Sequence, residues 1–371
     1  MSKSFKIAFV SPLMTSSNIN QVSNCVDILS SFSDEIFILL SYETSITLNE
    51  TKNTHITNII HKSKNNKIGR VFNYILAQIK IAKQLLLIRK KIGTCFFFMG
   101  DGLIIPIIVS KILNLKVILL LGGSYEEVVK YNNSILYKAI LLLRKVNLSI
   151  SDRIIVYSPV LIKKWNLEKY KSKIFIAHEH YIKFEEFHLI KQYNYRDLLI
   201  GYVGHLDDLK GVFNFVRAFP DILRYNNSIR FLIGGTGPLE DKIRQYCSLN
   251  KLNEYTNIIG WVPHNELIST LNDLSLLVLP SNSEGLPNIV LEAMACGTPV
   301  LTTPVGAIPD IIKDGETGFI MENNSVECIQ RNILRIIASK DLNKVSTNAE
   351  EFIIKEFNYN ETVNIFKAIF S

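Results

Sequence analysis

The sequence predicts an α/β protein with two doubly wound parallel-sheet domains, and three observations point to this fold class. The chain has 371 residues, which is longer than one ordinary hydrophobic core requires. Short apolar runs alternate with longer helix-like stretches in both halves, as expected of βαβ units. A polar segment separates the halves at 191–198. We therefore predict one domain over 1–190, a linker over 191–198, a second domain over 199–356 and a terminal helix over 357–371.

The first half contains apolar runs that are short enough to be buried strands. They lie at 6–10, 35–40, 94–99, 116–121, 153–157 and 173–177. The longer apolar stretch 95–121 is interrupted by Asp101, Lys111 and Lys116. It therefore fits a strand, a helix and a second strand better than a membrane-spanning helix. The segment 45–66 is rich in Asn, Lys and Thr, and we expect it to be a loop.

The second half repeats the alternation. Its predicted strands lie near 198–203, 229–233, 257–260, 276–280, 299–302 and 318–321. The final stretch, 360–370, is expected to be a helix capped by Asn360. Ligands of open parallel sheets bind beyond the carboxyl ends of the strands. Two such domains facing a central cleft could close over a substrate and exclude water.

Cysteine usage and the N-terminal residues bear on the compartment. The five cysteines are scattered and include no C-x2-C pair, which argues against a disulfide scaffold and a structural zinc site. The first residues lead directly into a predicted strand, without the apolar core of a signal peptide. We therefore expect a cytoplasmic protein.

Charge is distributed unevenly between the halves. Residues 1–190 carry 25 Lys or Arg and 13 Asp or Glu, a net charge of +12, whereas residues 191–371 carry 16 and 21, a net charge of −5. Residues 51–100 hold ten basic and no acidic side chains. A solvated face and docking to an anionic membrane at the inner face of the cell are both open interpretations. Nucleic acid is disfavoured because no recognisable binding module accompanies the charge.

The most informative segment runs from Glu284 to Val300 and reads E-G-L-P-N-I-V-L-E-A-M-A-C-G-T-P-V. Pro287 suits the first position of a helix, and Gly297 suits a helix end. Glu284 would then lie in the loop facing the helix N-terminus, and Glu292 about a turn and a half into the helix. Free helix N–H groups attract anions and donate to polar oxygens, while a carboxylate accepts hydrogen bonds from hydroxyls. This junction can therefore hold sugar hydroxyls.

The segment resembles the signature of the retaining glycosyltransferases of family 4, whose second domain is known as the group 1 domain. The resemblance covers nearly all of residues 199–330 and is weaker over 1–190. It implies two Rossmann-like domains of the GT-B type, with the terminal helix crossing back to the first domain. It also implies transfer of a sugar, with retention of configuration, from a nucleotide-diphosphate donor. Neither a metal nor a further cofactor is implied, and the chain has no D-x-D motif.

The resemblance assigns roles to residues of the second domain. Glu284 is expected to hold hydroxyls of the donor sugar, and Glu292 the ribose hydroxyls of the nucleotide. Lys210 is expected to stabilise the departing diphosphate. It ends the turn G-H-L-D-D-L-K that begins at Gly204, where the family pattern is G-R-x4-K-G. His205 stands in place of the usual arginine, and a histidine cannot form the bidentate fork of a guanidinium.

Further donor-binding candidates lie in three turns. The helix start at Pro287 is expected to bind the donor through backbone amides. Gly285, Leu286 and Asn288, which flank Pro287, are candidates in the same turn. Gly235 belongs to a G-G-T-G-P turn, and Val262 to the segment I-G-W-V-P, whose backbone reads the nucleobase edge in the resembled family. The neighbouring Trp261 could pack near the base or form a wall of the core.

The first domain offers two acceptor-side candidates. Asn18 ends the loop after the first predicted strand, and Ser124 follows the strand 116–121. In the resembled family these loops approach phosphate, acceptor and donor sugar. His178 and His180 lie two residues apart at a predicted strand end, but no further ligand is near in sequence, so we predict no metal site.

The preferred function is therefore a glycosyltransferase of cell-surface polysaccharide or glycoconjugate synthesis. Its partners would be a nucleotide-diphosphate sugar and a glycan or lipid-linked acceptor. A nucleotide-sugar epimerase of the same architecture and a non-catalytic nucleotide-sugar-binding relative are the alternatives. An epimerase would act on the nucleotide-sugar alone, whereas a transferase needs an acceptor.

Overall fold

Two α/β units make up the protein. The computed structural model describes residues 5–14, 19–42, 53–60, 67–122 and 137–371. The first unit extends to Tyr181 and also takes in Tyr359–Ser371, and the second unit is Ile182–Asn358. Each unit is built around its own parallel sheet, so each has its own core.

The first unit contains a seven-stranded sheet. Its strands are β1 (Lys6–Met14), β2 (Glu35–Tyr42), β3 (Thr54–Ile60), β4 (Thr94–Phe98), β5 (Lys116–Leu121), β6 (Arg153–Val156) and β7 (Ile174–Ile176). They are ordered β3-β2-β1-β4-β5-β6-β7, and all adjacent strands are parallel. All five residues of β4 are buried, as expected of a sheet covered by helices on both faces.

Strand β3 shows that the loop prediction for 45–66 was wrong over Thr54–Ile60, while 45–52 and 61–66 lie outside the described residues. Thr54–Ile60 pairs with β2 in continuous register, from Ile36↔Thr54 to Tyr42↔Ile60. Its sequence, THITNII, is dominated by β-branched residues, which favour an extended backbone. The Asn- and Lys-rich residues on either side concealed this short run.

Three helices of the first unit form one layer. The helices before Tyr181 are α1 (Ile19–Ser30), α2 (Lys67–Ile88), α3 (Ile104–Ile112), α4 (Tyr137–Ile150) and α5 (Pro159–Lys164), with a 3-10 helix at Glu168–Lys173. Helix α2 packs against α3, and α3 packs against α4. Helix α2 buries Ala77, Ile81 and Leu85, which share one helix face because they are four residues apart.

The second unit contains a six-stranded parallel sheet. Its strands are β8 (Leu199–Val203), β9 (Arg230–Gly234), β10 (Thr256–Gly260), β11 (Leu276–Leu279), β12 (Val300–Thr302) and β13 (Phe319–Ile320). The order is β10-β9-β8-β11-β12-β13. The chain therefore builds outward from β8 in one direction and then returns to place β11 on its other side. This reversal is a topological switch point, where open α/β sheets bind ligands.

Helices connect these strands. They are α6 (Val212–Arg217), α7 (Phe219–Tyr225), α8 (Glu240–Leu249), α9 (His264–Asp273), α10 (Asn288–Ala295), α11 (Ile308–Ile311), α12 (Val326–Ile337) and α13 (Leu342–Glu356), with a 3-10 helix at Tyr193–Tyr195. Phe219 and Phe231 stack at 3.6 Å between ring centroids, and both are fully buried. Their contact fixes α7 on the sheet.

The division between the units differs from the linker placed at 191–198. This segment belongs to the second unit because distant side chains hold it there. The Ile190 and Lys191 N–H groups donate to Asn272 Oδ1 at 2.7 and 3.1 Å. The Arg196 guanidinium donates to the carbonyls of Leu274 and Cys296 at 2.9 and 2.6 Å. The second unit thus begins at Ile182, ahead of its first strand.

The last helix, α14 (Tyr359–Phe370), belongs to the first unit. It packs against α1, and its Phe370 ring lies 5.6 Å from Phe32 and 5.5 Å from Phe96 between centroids. Among the helices within the described ranges, none has both the length and the apolar character that crossing a membrane requires.

Candidate functional site

Lys210 and Glu284 form an ion pair across the switch point of the second sheet. The Lys210 Nζ lies 2.7 Å from Glu284 Oε1 and 2.9 Å from Oε2. Lys210 is in the loop after β8, and Glu284 is in the loop after β11. Because these two strands are neighbours, their loops emerge side by side at the edge where such sheets bind ligands.

Polar partners hold the Glu284 carboxylate in place. The Ser281 hydroxyl donates to Glu284 Oε1 at 2.7 Å, and the Thr303 hydroxyl donates to the Ser281 carbonyl at 2.5 Å. The Glu284 side chain is only 9% exposed, whereas that of Lys210 is 28% exposed. Removing Lys210 would leave the Glu284 carboxylate poorly solvated and without its counter-charge, which is costly. The pair is therefore preorganised, with the lysine on the solvent side.

Backbone contacts lock the Lys210 loop onto the Glu284 loop. The Asn282 N–H donates to the Leu209 carbonyl at 2.8 Å, and the Lys210 N–H donates to Asp207 Oδ1 at 2.9 Å. Gly211 has a φ of +67° and lies against the Pro280 carbonyl, where a Cβ would overlap. Only glycine combines this backbone angle with such a close approach.

His205 lies on the same loop, and its ring is exposed. The side chain is 59% exposed, and Nε2 lies 4.0 Å from Asp207 Oδ2, beyond hydrogen-bonding distance. The buried Tyr202 hydroxyl donates to the His205 carbonyl at 2.7 Å, which fixes the backbone but leaves the ring accessible. A ligand could therefore meet the imidazole directly.

The turns after β8, β9 and β10 meet at one edge of the sheet. The Gly204 N–H donates to the Gly234 carbonyl at 3.0 Å. Gly235 has a φ of +129° and abuts the Gly204 carbonyl so closely that a Cβ would overlap it. The Val262 side chain lies against Gly234. The structure thus brings together the predicted residues Gly204, Gly235 and Val262.

Trp261 is not part of the core. It is 74% exposed, next to the buried Val262, immediately after the end of β10. The alternative that this ring forms a core wall is therefore wrong. An exposed indole beside the ends of β9 and β10 offers an aromatic surface to a planar ligand.

The helix after Glu284 begins one residue later than predicted. Pro287 has φ −77° and ψ 119°, so it is the extended N-cap, and α10 starts at Asn288. The Pro287 carbonyl accepts the first bond of the helix, from the Val290 N–H at 3.1 Å. Leu286 is buried, and the Gly285 carbonyl accepts from the Ala307 N–H at 2.8 Å. The loop is thus anchored, with α10 directed away from it.

Glu292 has an unusual electrostatic environment. Burial, together with the nearby charge of Glu186, raises the pKa of the Glu292 carboxyl to about 7. Glu186 in turn lies 3.1 Å from His264 Nε2. Sequence reasoning missed the influence of Glu186 on Glu292 because it depends on the fold of a non-repetitive segment. A carboxyl poised between its charged and neutral forms is typical of binding and catalytic sites.

The first unit holds a buried polar cluster that the sequence did not predict. Glu179 is fully buried, and its Oε1 accepts from the Tyr157 hydroxyl at 2.7 Å. Burial raises the pKa of Glu179 to about 7. His180 Nδ1 lies 3.8 Å from the same oxygen. Within the described part of the chain, no group of three or more His, Cys, Asp or Glu is arranged to hold a metal ion.

The structure does not describe the two acceptor-side candidates. Asn18 and Ser124 both lie outside the described residues. Their predicted roles therefore stay predictions.

Known proteins resemble this chain in sequence. Residues 183–352 match the family described as Glycosyl transferases group 1. A glycosyltransferase of Methanocaldococcus jannaschii is 30% identical over 331 residues, which cover 88% of this chain and 87% of that protein. The capsular polysaccharide biosynthesis glycosyltransferase CapM of Staphylococcus aureus is 30% identical over 158 residues, which cover 43% of this chain and 40% of CapM.

Solved structures resemble it in fold. Sucrose-phosphate synthase of Thermosynechococcus elongatus superposes with a TM-score of 0.78 at 17% identity, covering 99% of this chain and 98% of that one. HepE of Anabaena superposes with a TM-score of 0.75 at 11% identity, covering 98% and 99%. Together with the two parallel sheets, these likenesses establish the predicted pair of Rossmann-like domains of the GT-B type. The sequence match over most of both chains identifies the protein as a member of the group 1 glycosyltransferases.

Proposed function

We propose that this glycosyltransferase is a retaining hexosyltransferase that uses a nucleotide-diphosphate sugar. Its acceptor would be a hydroxyl of a glycan or lipid-linked saccharide in cell-surface polysaccharide or glycoconjugate synthesis. The observation that carries the proposal is the Lys210–Glu284 pair at the switch point. Two names among the relatives support it. HepE has been solved with UDP and with UDP-glucose, and CapM is named for capsular polysaccharide biosynthesis.

Lys210 and Glu284 suit the two sides of a sugar–phosphate junction. An ammonium group stabilises negative charge that develops on a departing diphosphate, and a carboxylate accepts hydrogen bonds from sugar hydroxyls. Because the two groups are in contact, the ligand parts that they bind must be neighbours. The anomeric carbon and its phosphate are such neighbours. The N–H groups at the start of α10 would add donors for the diphosphate.

The reaction proposed here needs no protein nucleophile. The bond between the anomeric carbon and the phosphate oxygen breaks as the acceptor oxygen forms its bond on the same face. The departing phosphate oxygen takes the acceptor's proton, so configuration is retained and the charges balance. Lys210 would neutralise the nucleoside diphosphate that leaves, so we also propose that the reaction requires neither a metal nor a further cofactor.

The nucleotide half of the donor would lie along α10 and the β9 and β10 turns. Glu292 would accept hydrogen bonds from ribose hydroxyls, a role that favours its ionised form. Gly235 and the backbone at Val262 would border the base, with the exposed Trp261 nearby. We propose that the enzyme works in the cytoplasm, at the inner face of the cell membrane, where a lipid-linked acceptor would be presented.

A transfer assay tests this function. The purified full chain is incubated with a panel of radiolabelled nucleotide-sugars, preselected by thermal shift, and with a glycan and lipid extract as acceptor. We expect label in the extract only when the acceptor is present, and an α-linked product by NMR from an α-linked donor. Epimerised donor in the absence of extract would contradict the proposal. Donor binding without any transfer would favour the non-catalytic alternative.

A further inference from the structure

The solvent-facing side of α2 is strongly apolar. Its exposed large side chains are Phe72, Ile75, Leu76, Ile79, Leu86 and Leu87, with exposures between 38% and 67%. Their spacing of three and four residues places them along one face of the helix. The opposite face holds the buried Ala77, Ile81 and Leu85. The helix is therefore apolar on its core side and again on the side that faces away from the core.

The neighbouring helices extend this surface. Helix α3 exposes Ile108 and Ile112, and α4 exposes Leu142, Leu143 and Val146. The three helices pack side by side in the order α2, α3, α4. Isolated exposed apolar residues are ordinary, but a contiguous group on adjacent helices marks an interaction surface. We name the exposed side of α2, α3 and α4 the apolar–basic face.

The exposed charges that these helices contribute are cations. Lys80, Lys83 and Lys145 are exposed, and the sequences of α2, α3 and α4 contain no Asp or Glu. Lys83 lies on the apolar side of α2, because it is four residues beyond Ile79. An ordinary solvated helix mixes both signs of charge on its outer face. The combination of exposed apolar groups with cations alone is typical of helices that lie in a membrane interface.

We propose that the apolar–basic face docks the enzyme on an anionic phospholipid surface. The apolar side chains would enter the boundary between headgroups and acyl chains, and the lysines would contact phosphates. A second copy of this chain fits less well, because a symmetric dimer would bring the exposed lysines of two such faces together. The inference rests on the proposed function in one respect: that function explains why the enzyme would meet a membrane.

Vesicle flotation tests the docking surface without donor or acceptor, so its outcome is independent of the transfer assay. The full chain is mixed with phosphatidylcholine vesicles, with or without phosphatidylglycerol. We expect flotation with the anionic vesicles, little with the neutral ones, and weaker binding as salt is raised. Absence of flotation with anionic vesicles would overturn the proposal.

Matched variants locate the contact. Leu87→Gln on α2 is compared with Leu249→Gln on α8, since these leucines are 67% and 75% exposed. Lys83→Glu is compared with Lys340→Glu, since both lysines are exposed. We expect each α2 variant to weaken vesicle binding about tenfold. Leu87→Gln removes a leucine that would be buried in the membrane, and Lys83→Glu reverses a charge near the membrane surface. Both controls should bind like the parent.

Two results would contradict this placement. Equal losses in the α2 variants and their controls would mean that binding is nonspecific. A dimer seen by light scattering that Leu87→Gln dissociates, with no flotation of the parent, would assign the face to a second copy of the chain. Unchanged thermal unfolding of each variant confirms that binding, rather than folding, was altered.

Discussion

The Lys210 ammonium is bound by both carboxylate oxygens of Glu284, at 2.7 and 2.9 Å, although the two residues are 74 positions apart. The contact joins the loops after β8 and β11, on either side of the sheet reversal. In the ligand-free enzyme each charge is thus balanced by the other. A donor that binds here need not organise either group, because both are already held in place.

Replacing Lys210 tests its assignment to the diphosphate. We expect Lys210→Met to lower the affinity for UDP by roughly tenfold to a hundredfold, because one charge-assisted contact to phosphate is lost. Isothermal titration calorimetry measures the change. Lys340→Met is the control, since Lys340 is exposed on the same unit. Equal affinities for Lys210→Met and the parent would show that Lys210 does not contact the diphosphate.

Glu292 should make nucleotide affinity depend on pH. Its raised pKa of about 7 means that the carboxyl is largely neutral at pH 6 and ionised at pH 8. If Glu292 accepts from ribose hydroxyls as proposed, its ionised form is the binding form, and UDP should bind more tightly as pH rises through 7. Calorimetry across this range should show the dependence, and Glu292→Gln should flatten it. A slope that persists in Glu292→Gln would assign the titration to another group.

Gly235 should be intolerant of any side chain. Its φ of +129° and its contact with the Gly204 carbonyl leave no room for a Cβ. We expect Gly235→Ala to destabilise the second unit by about 1–3 kcal/mol or more, measured by urea unfolding. Gly93→Ala is the matched control, since a Cβ there meets nothing within 4 Å. A neutral Gly235→Ala would contradict the described geometry of this turn.

Glu179 should make stability fall as pH rises. Its folded-state pKa of about 7 lies above the ordinary value of 4.5, so between these values the folded protein holds a proton that the unfolded chain has released. The stabilisation is fully present below pH 4.5 and is lost as pH rises through 7. Its neighbours Tyr157 and Cys25 have raised pKa values and stay neutral in this window.

The Glu179→Gln variant isolates this contribution. Glutamine resembles the protonated carboxyl in shape and cannot titrate, so the pH dependence of the unfolding midpoint should become shallower between pH 4.5 and 7. The expected difference is on the order of 2 kcal/mol. Identical pH profiles for the variant and the parent would show that Glu179 does not exchange a proton on unfolding.

Local sequence patterns predicted the fold and the local structure around Glu284 well. The α/β alternation predicted both sheets, and the run from Glu284 to Val300 predicted a strand, loop and helix that the structure contains. These features depend on neighbouring residues, and hydrophobic period and turn chemistry express them directly. The contact between Lys210 and Glu284 could be expected because both follow strands that meet at a sheet reversal.

Features that depend on distant partners could not be predicted. The segment 191–198 looked like a linker because its anchors, Asn272 and the carbonyl of Cys296, are 75 or more positions away. Strand β3 was missed because pairing with β2 outweighs its polar surroundings. The pKa of Glu292 is raised first by burial and then by the charge of Glu186, and neither effect follows from spacing in the sequence.

The central claim is that Glu284 holds the donor sugar and Lys210 the diphosphate. The kinetic difference between Glu284→Ala and Lys210→Met tests this claim most directly. If Glu284 holds the donor sugar, Glu284→Ala should lower kcat by about a hundredfold or more while leaving UDP affinity close to that of the parent. Glu254→Ala, at an exposed position on the same unit, should change neither quantity. Glu284→Ala with an unchanged transfer rate and a retained thermal unfolding profile would contradict the account.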